Sequence, residues 1–286
     1  MKRILTAGIY LFSLLPIRLL YVLSDLSYLF MYYLIGYRRT VVRDNLLKAF
    51  PEKTASERTH IERRFYRFLS DLLVECIKMG SIRAHEVTRR MHLTNPDELM
   101  AHCRNGSPVI LVTAHYGNWE LAIHSLSLLS PFPELIIYKP LSNKTFEDVY
   151  NKIRSRFGAT MVPMQQTLRK ITEHRHDAHI SVFVADQTPL GHHNNHYIPF
   201  LNQQTPVFMG IEKIARKSNI PVVYCHIDRM KRGRYACTFH TLTTDPASLP
   251  AFELTRMHTA YLEEIIRQKP ELWLWSHRRW KHSPQV

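Results

Sequence analysis

The chain contains few cysteines. Cys76, Cys103, Cys225 and Cys237 are the four among its 286 residues, and no two of them stand in CxxC spacing. The sequence therefore does not favour a structural zinc site, and a chain of this length does not need a disulfide framework to build its core. We expect four free thiols, mostly buried, in a reducing compartment.

Acidic residues are also scarce. The 24 aspartates and glutamates face 38 lysines and arginines, which gives a formal net charge of +14. Such an excess favours an anionic partner, either nucleic acid, an acidic membrane surface, or an acidic carrier or substrate. The sequence carries no helix-turn-helix, RNA-recognition or zinc-finger signature. We therefore expect no nucleic acid, although a membrane-tethered basic binding protein stays open as an alternative.

No run of ~20 uncharged apolar residues is present, so no segment is a clean transmembrane span. An apolar run over residues 4–16 follows Met1-Lys2-Arg3 without a small-residue cleavage site, and a second run over 19–37 is broken chiefly by Asp25. Aromatic residues and flanking cations, Arg38 among them, favour an uncleaved helical membrane anchor over residues 1–40. Whether it spans the bilayer or lies in the interface stays open, as does a buried N-terminal hairpin.

The remaining residues, 41–286, read as one α/β domain with a helical lead-in at 41–94 and a core at 95–286. In the lead-in, Thr54-Ala-Ser-Glu57 predicts a capping box that opens a helix. Apolar residues then recur at helical spacing from Ile61 to Ile77, and we expect this stripe to pack on the core rather than on a membrane.

The core alternates strand and helix patterns. Its clearest element is the apolar, β-branched run PVILVTA at 108–114, which is typical of a strand buried on both faces. The fold class predicted is α/β, a mixed, largely parallel sheet flanked by helices behind the N-terminal hydrophobic anchor. The further strands predicted are 135–138, 159–162, 180–185, 222–227 and 235–242, and the helices are 118–129, 144–157, 165–173, 207–217 and 251–267.

A histidine and a carboxylate follow the buried strand at 108–114, in His115-Tyr-Gly-Asn-Trp-Glu120. Ligands of such folds bind at the carboxyl ends of the strands. If Gly117 lets the chain turn back, Glu120 can accept a ring N–H of His115 and leave the other nitrogen as a general base. The amides of Gly117 and Asn118 would then help to hold an oxyanion. Alone, HxxxxE is more often structural than catalytic, but its placement after a buried strand, with Gly117 and Asn118 inside it, makes the two roles equally compatible with the sequence.

Two more polar clusters end predicted strands. Asp186-Gln187 follows the strand at 180–185, and Tyr138-Lys139 ends the strand at 135–138. Each cluster alone could be a turn or a helix cap, but polar groups at one edge of a sheet favour a cleft there.

These residues together resemble the bacterial lipid A late (lauroyl/myristoyl) acyltransferase family, a branch of the lysophospholipid acyltransferases. The resemblance is carried by the motifs above, by Asn45-Leu-Leu-Lys-Ala-Phe50-Pro51, and by Arg154-x-Arg156-Phe-Gly158. The terminal Trp273-Leu-Trp-Ser-His-Arg-Arg-Trp-Lys281 adds to it. The phenylalanine-proline-glutamate-glycine block of the glycerol-phosphate branch is missing, which favours the lipid A branch.

The resemblance implies transfer of an acyl group from acyl carrier protein to a hydroxyl of a lipid A precursor. The reaction would take place on the cytoplasmic face of an anionic bacterial inner membrane, with His115 and Glu120 catalytic. Another acceptor, a lysophospholipid or an amine-bearing lipid, stays open, and so does hydrolysis of the donor. The substrate-binding residues expected are Gly117, Asn118, Tyr138, Lys139, Arg154, Asp186, Gln187, Arg278 and Arg279.

We expect no metal and no cofactor, with acyl-carrier thioester as the co-substrate. Histidines cluster at 174–179 and at 192–196, but neither segment matches a zinc-binding helix such as HExxH and no cysteine accompanies them. The second segment follows Asp186 closely enough to contact a substrate. Arg278 and Arg279 would grip lipid phosphate, unless the neighbouring tryptophans close the core and the arginines are only solvated.

Overall fold

A computed structural model gives the architecture of residues 2–174, 176–189 and 196–281. The strands are β1 (Met91–Leu93), β2 (Val109–Thr113), β3 (Glu134–Tyr138), β4 (Thr160–Pro163), β5 (Ile180–Val184), β6 (His196–Phe200), β7 (Gln203–Val207), β8 (Val222–Lys231) and β9 (Arg234–Thr243). Seven of them form one sheet in the order β1-β9-β8-β2-β5-β3-β4, and β6 and β7 form a separate hairpin.

Helices flank the sheet and precede it. They are α1 (Lys2–Leu14), α2 (Ile17–Leu29), α3 (Arg39–Ala49), α4 (Ala55–Lys78), α5 (Ala84–Arg90), α6 (Pro96–Arg104), α7 (Trp119–Leu129), α8 (Lys144–Arg154), α9 (Thr167–Glu173), α10 (Gly210–Ser218) and α11 (Glu253–Gln268). A π-helical segment, Phe30–Ile35, continues α2, and short 3₁₀ turns stand at Met164–Gln166 and Pro270–Leu272.

The sheet is mixed and largely parallel, as predicted. Only β8 and β9 pair antiparallel; the other neighbours within the seven-stranded sheet pair parallel. All five residues of β2 are buried, because helices cover both faces of the central strands. The β2–β5 register pairs Thr113 with Val184, and this pairing sets the geometry of the site described below.

Several elements differ from the prediction. The short strand β1 and the β6–β7 hairpin were not predicted. The helix predicted over 207–217 begins only at Gly210, because Val207 belongs to β7.

The lead-in packs on the core as expected. Thr54 Oγ1 accepts the Glu57 amide at 3.2 Å while Glu57 Oε2 accepts the Thr54 amide at 2.7 Å, so the capping box is present. The apolar stripe of α4 joins the hydrophobic core through Ile61, Phe65, Phe68, Leu69 and Leu72.

The N-terminal helices form a bent pair. Within the described residues, no single helix is long and apolar enough to cross a membrane, although Thr6–Leu14 and Ile17–Ile35, bent by 113°, reach that length and composition together. One face of α2 packs on α4 through Leu20, Ser24 and Tyr28. The other face exposes large apolar side chains, so the pair presents an apolar surface to its surroundings.

Candidate active site

The turn between β2 and α7, here called the His115 loop (residues 114–118), is tightly fixed. Gly117 has φ +64°, and a Cβ there would stand 2.5 Å from the carbonyl oxygen of Ile227, so the position requires glycine. The Gly117 amide donates to Leu272 O at 3.0 Å, and the Leu274 amide donates to His115 O at 3.1 Å. The loop is therefore held against the segment that follows α11.

Asp186 is the carboxylate partner of His115. Its Oδ1 lies 2.6 Å from His115 Nδ1, and its Oδ2 accepts the Trp273 indole N–H at 2.8 Å. Each residue stands two positions beyond the paired Thr113 and Val184, so parallel pairing brings the two side chains together. Burial would raise the pKa of Asp186, but the neighbouring His115, with the Trp273 hydrogen bond, lowers that pKa to about 2. The carboxylate is thus ionised at neutral pH.

An ionised Asp186 selects one tautomer of His115. It accepts a proton-bearing Nδ1, which leaves the lone pair on Nε2. The Gln187 amide nitrogen lies 3.2 Å from that Nε2, as a donor facing an acceptor. The His115 side chain keeps 18% of its surface exposed while Asp186 keeps 3%, so the histidine is the more accessible member of the pair.

The structure corrects the predicted contact between Glu120 and His115. Both oxygens of Glu120 bind elsewhere: Oε2 accepts Arg154 Nε at 2.7 Å, and Oε1 accepts Trp119 Nε1 at 2.9 Å and the second Arg154 nitrogen. Trp119 starts α7, so Glu120 lies in its first turn and points to α8 instead of back to the loop. Burial disfavours its charge, yet Arg154 lowers the pKa of Glu120 below its usual value.

Glu120 reaches His115 only through a neighbour. The Trp119 ring packs edge-on against the His115 ring, with centroids 4.8 Å apart, while its N–H is held by Glu120. Glu120 therefore fixes one wall beside the histidine, and its role in catalysis stays a prediction.

The chain matches the family model described as bacterial lipid A biosynthesis acyltransferase over residues 3–282. It is 24% identical over 252 residues to the lipid A biosynthesis palmitoleoyltransferase of Escherichia coli (strain K12), covering 86% of this chain and 80% of that protein. The lipid A biosynthesis acyltransferase of Shigella flexneri matches with the same identity and coverage. The chain belongs to the bacterial lipid A biosynthesis acyltransferase family. It is accordingly an enzyme that transfers acyl groups.

In this member of the lipid A acyltransferase family, an apolar cleft of about 260 Å³ lies next to His115, whose Nε2 contacts the cleft-lining Gln187. Tyr138, Lys139 and Gln187 line its rim, so the structure brings these three predicted substrate-binding residues together. The rest of the lining is mostly apolar: Ile137, Met164, Gln165, Thr167, Leu168, Phe183, Val184, Ala185, Thr188, Pro189, Phe208, Ile211 and Ile214. Such a lining suits a hydrocarbon chain.

Three predicted substrate-binding residues have structural partners instead. The Gly117 amide is already donated to Leu272, which corrects its predicted oxyanion role. Asn118 is fully buried, where its Oδ1 caps α7 by accepting the Leu121 amide at 2.9 Å. Arg154 is occupied by Glu120 and stacks on the Tyr150 ring, with its guanidinium carbon 4.3 Å from the ring centroid.

The two C-terminal arginines also separate. Arg278 is exposed, whereas Arg279 is buried and donates to Pro206 O at 2.8 Å. Burial lowers the pKa of Arg279 to about 10. The predicted phosphate-gripping role is therefore corrected for Arg279 and stays a prediction for Arg278. Thr188 donates to the Arg279 carbonyl at 3.0 Å, which places this segment beside the cleft.

The predicted histidine clusters contribute little to the described site. His192 and His193 lie outside the described residues, while His196 begins β6 and stacks on Phe252 at 3.9 Å between centroids. Among the residues described, no three His, Cys, Asp or Glu side chains stand close enough to hold a metal ion.

Sequence reasoning missed the hydrogen bonds of Trp119 and Trp273. Both indoles hold a carboxylate, Glu120 and Asp186 respectively, by a donated N–H. The pairing of Asp186 with His115 could have been predicted from the sequence, because Asp186 follows β5 by the same number of residues as His115 follows the neighbouring β2.

Proposed function

We propose that this enzyme moves a fatty acyl chain from an acyl-carrier thioester to a hydroxyl of a lipid A precursor, with His115 Nε2 as the general base. One observation carries the proposal: Nε2 of an Asp186-paired histidine lies 3.2 Å from the amide nitrogen of Gln187, which lines an apolar cleft of about 260 Å³. A base beside a hydrocarbon pocket is what direct acyl transfer requires.

The acceptor hydroxyl takes the place of the Gln187 amide at His115 Nε2. The nitrogen accepts the hydroxyl proton as the oxygen attacks the thioester carbonyl. The tetrahedral intermediate collapses, the carbon–sulfur bond breaks, and the imidazolium returns the proton to the leaving thiolate. Asp186 stabilises the imidazolium while it exists, at an ion-pair distance of 2.6 Å. General base catalysis of this kind contributes typically about 10²–10⁴-fold.

Direct transfer is favoured over a covalent acyl-enzyme. Among the residues that the structure describes, the side chains hydrogen-bonded to the His115 ring are Asp186 and Gln187, neither of which is an acyl nucleophile of the serine or cysteine type. For the oxyanion we propose Lys139, since its cation is exposed at the rim of the cleft and the Gly117 amide is occupied. The exposed cations of Lys139 and Arg278 would also attract an acidic carrier protein and a phosphorylated acceptor.

For the N-terminal helices we propose an in-plane position at the cytoplasmic face of the inner membrane. Their exposed apolar side chains are Tyr10, Leu11, Phe12, Leu14, Leu19, Val22, Leu26, Leu29, Phe30, Tyr33, Leu34, Ile35 and Tyr37. A bend of 113° between the helices suits a pair lying in the interface. Exposed Arg38, whose Nη1 donates to Ser276 O at 3.0 Å, would bind anionic headgroups beside the cleft.

Vesicle binding tests this position. Leu34 is 75% exposed, and placing a charge there removes an apolar contact worth about 1.5–3 kcal/mol. Leu34→Glu should weaken binding to anionic phospholipid vesicles by roughly tenfold or more, judged by co-sedimentation. Leu129→Glu, at the end of α7, is the matched control for an exposed leucine elsewhere and should bind as wild type. Equal binding by all three proteins would contradict the in-plane position.

Acyl transfer by detergent-solubilised enzyme tests the reaction. A series of acyl-carrier thioesters is supplied with a phosphorylated lipid A precursor, and the product is read by mass. Wild type should add one acyl group and His115→Ala should not, while His85→Ala, an exposed histidine of α5, serves as control. Donor consumption without acylated lipid would indicate a hydrolase. Transfer only to lysophospholipids or amine-bearing lipids would replace the proposed acceptor.

A further inference from the structure

Glu75, on α4, is a buried carboxylate that directly contacts the His115 loop. It accepts three hydrogen bonds from three different elements. Asn118 Nδ2 donates to Oε2 at 2.6 Å, the Tyr235 hydroxyl donates to Oε2 at 2.7 Å, and the Tyr21 hydroxyl donates to Oε1 at 2.7 Å. Glu75 thus joins the loop, β9 and α2 at one point.

The bond from Asn118 to Glu75 fixes the loop because both polar atoms of the Asn118 side chain are hydrogen-bonded. With Nδ2 bound to Glu75, Oδ1 is directed to the Leu121 amide, which it accepts at 2.9 Å. Asn118 therefore holds the start of α7 in place relative to α4. Three residues earlier, His115 is fixed on its other side by the Leu274 amide. Removing the Glu75 bond would release the support of the loop on the α4 side and leave the backbone bonds to Leu272 and Leu274 in place.

The Tyr21 bond reaches in the opposite direction, to α2. The Tyr21 hydroxyl passes over Gly233, at the β8–β9 turn, where a Cβ would overlap that hydroxyl. Gly233 also has φ +71°, a conformation that favours glycine. The turn thus leaves room for the tyrosine to reach Glu75. On the opposite face of α2, Leu19, Val22 and Leu26 are exposed.

We propose that Glu75 is a positioning residue for acyl transfer, which fixes the His115 loop through Asn118 and ties it to helix α2 through Tyr21. The proposal rests on the proposed function, because the His115 loop carries the base. It predicts that the placement of the apolar N-terminal helices and the placement of the base are mechanically linked. A reacting group displaced by about 1 Å can cost ~10²-fold in rate.

A neighbouring hydrogen bond supplies the matched control. Ser24 donates to Asp71 Oδ1 at 2.7 Å, one turn away from the Glu75 contact on both helices. It ties α2 to α4 but does not touch the His115 loop. Ser24→Ala therefore weakens helix docking in general, whereas Tyr21→Phe removes the single bond that links α2 to Glu75.

The kinetic test compares Glu75→Leu, Tyr21→Phe and Ser24→Ala in the acyl-transfer assay. Glu75→Leu, which leaves Asn118 Nδ2 without its acceptor, should lower kcat by about 10²-fold with KM for both substrates within about twofold. Tyr21→Phe should lower kcat in the same sense by less, and it replaces Glu75→Leu if that variant does not fold. Ser24→Ala should keep kcat within about twofold. The proposal is overturned if the folded variants all keep wild-type kcat, or if Ser24→Ala loses as much as Tyr21→Phe.

Hydrogen exchange provides a readout that does not depend on activity. Glu75→Leu and Tyr21→Phe should speed exchange of the Leu121 amide by about tenfold or more, and Ser24→Ala should leave it unchanged. If wild type transfers no acyl group, the proposed function fails while the exchange result still judges the loop support. Unchanged exchange in the two loop variants would overturn the positioning role whatever the enzyme transfers.

Discussion

Replacing Asp186 by asparagine tests the central pair most sharply. Trp273 Nε1 can only donate, so it holds the oxygen of the introduced asparagine on its own side. The asparagine amide then faces His115 Nδ1 as a donor, in place of the carboxylate that accepted its proton at 2.6 Å. His115 is forced into the tautomer with its proton on Nε2, where it cannot accept the acceptor's proton. We expect kcat to fall by about 10²–10⁴-fold.

The same substitution has a calculable effect on stability. The pKa of Asp186 falls from 3.8 to about 2 in the folded protein, which corresponds to about 2 kcal/mol favouring the ionised form. Since this pKa is depressed, the contribution is fully present above pH 3.8 and is lost as the pH falls through about 2. Denaturant unfolding at pH 7 should show a loss of this order, small enough for the folded variant to be assayed.

A second substitution separates the tautomer from the charge. In Asp186→Asn/Trp273→Phe the donor that fixed the amide orientation is gone, so the asparagine oxygen can turn to His115 Nδ1. The double variant should recover about tenfold or more of the kcat lost by Asp186→Asn, if the tautomer sets the rate. Trp273→Phe alone should cost less than Asp186→Asn. An Asp186→Asn enzyme with kcat within about threefold of wild type would refute the reasoning.

Three further outcomes are expected. Glu120→Gln should destabilise the fold by about 3–5 kcal/mol in urea unfolding, because its arginine partner stays buried without a counter-charge; undiminished stability would contradict this. Burial lowers the pKa of His124 and of His258 to about 4. Their contribution to the free energy of unfolding should therefore be complete above pH 6.5 and be lost as the pH drops towards 4, by up to roughly 3 kcal/mol for each histidine. A free energy of unfolding that does not change over this range would contradict burial in the neutral form. Arg278→Ala should raise KM for a phosphorylated acceptor without lowering the Tm, whereas Arg279→Ala should lower the Tm, and the reverse pattern would disprove the assignment.

The sheet was largely predictable because its central strands are buried on both faces. Such strands read as unbroken apolar runs, and Val109–Thr113 and Ile180–Val184 were recovered within two residues at either end. The β6–β7 hairpin was not predicted, because a proline argues against a regular strand and each of its strands contains one, Pro199 in β6 and Pro206 in β7. Its turn uses Leu201 and Asn202 at positive φ, without the glycine that normally signals such a turn.

The site was predicted as a location more successfully than as a set of contacts. His115, Asp186 and Gln187 follow neighbouring strands, and strand ends meet at one edge. The predicted partner of His115 was wrong: the turn at Gly117 was expected to bring Glu120 to the ring, whereas the structure places Asp186, expected to bind substrate, at Nδ1. The choice depends on where α7 begins, and a shift of one or two residues in a helix start rotates every side chain of its first turn. Element boundaries are the least certain part of a sequence reading.

The C-terminal arginines show why side-chain roles can escape a sequence reading even when the segment is recognised. Residues 273–281 form no helix or strand, so no periodicity separates inward from outward positions. Trp275, Trp280 and Arg279 are all buried, and Arg279 donates to the Pro206 carbonyl. The adjacent Arg278 consequently projects outward on the segment that Thr188 ties to the cleft. The core-closing explanation therefore applies to Arg279, whereas phosphate binding stays a prediction for the exposed Arg278.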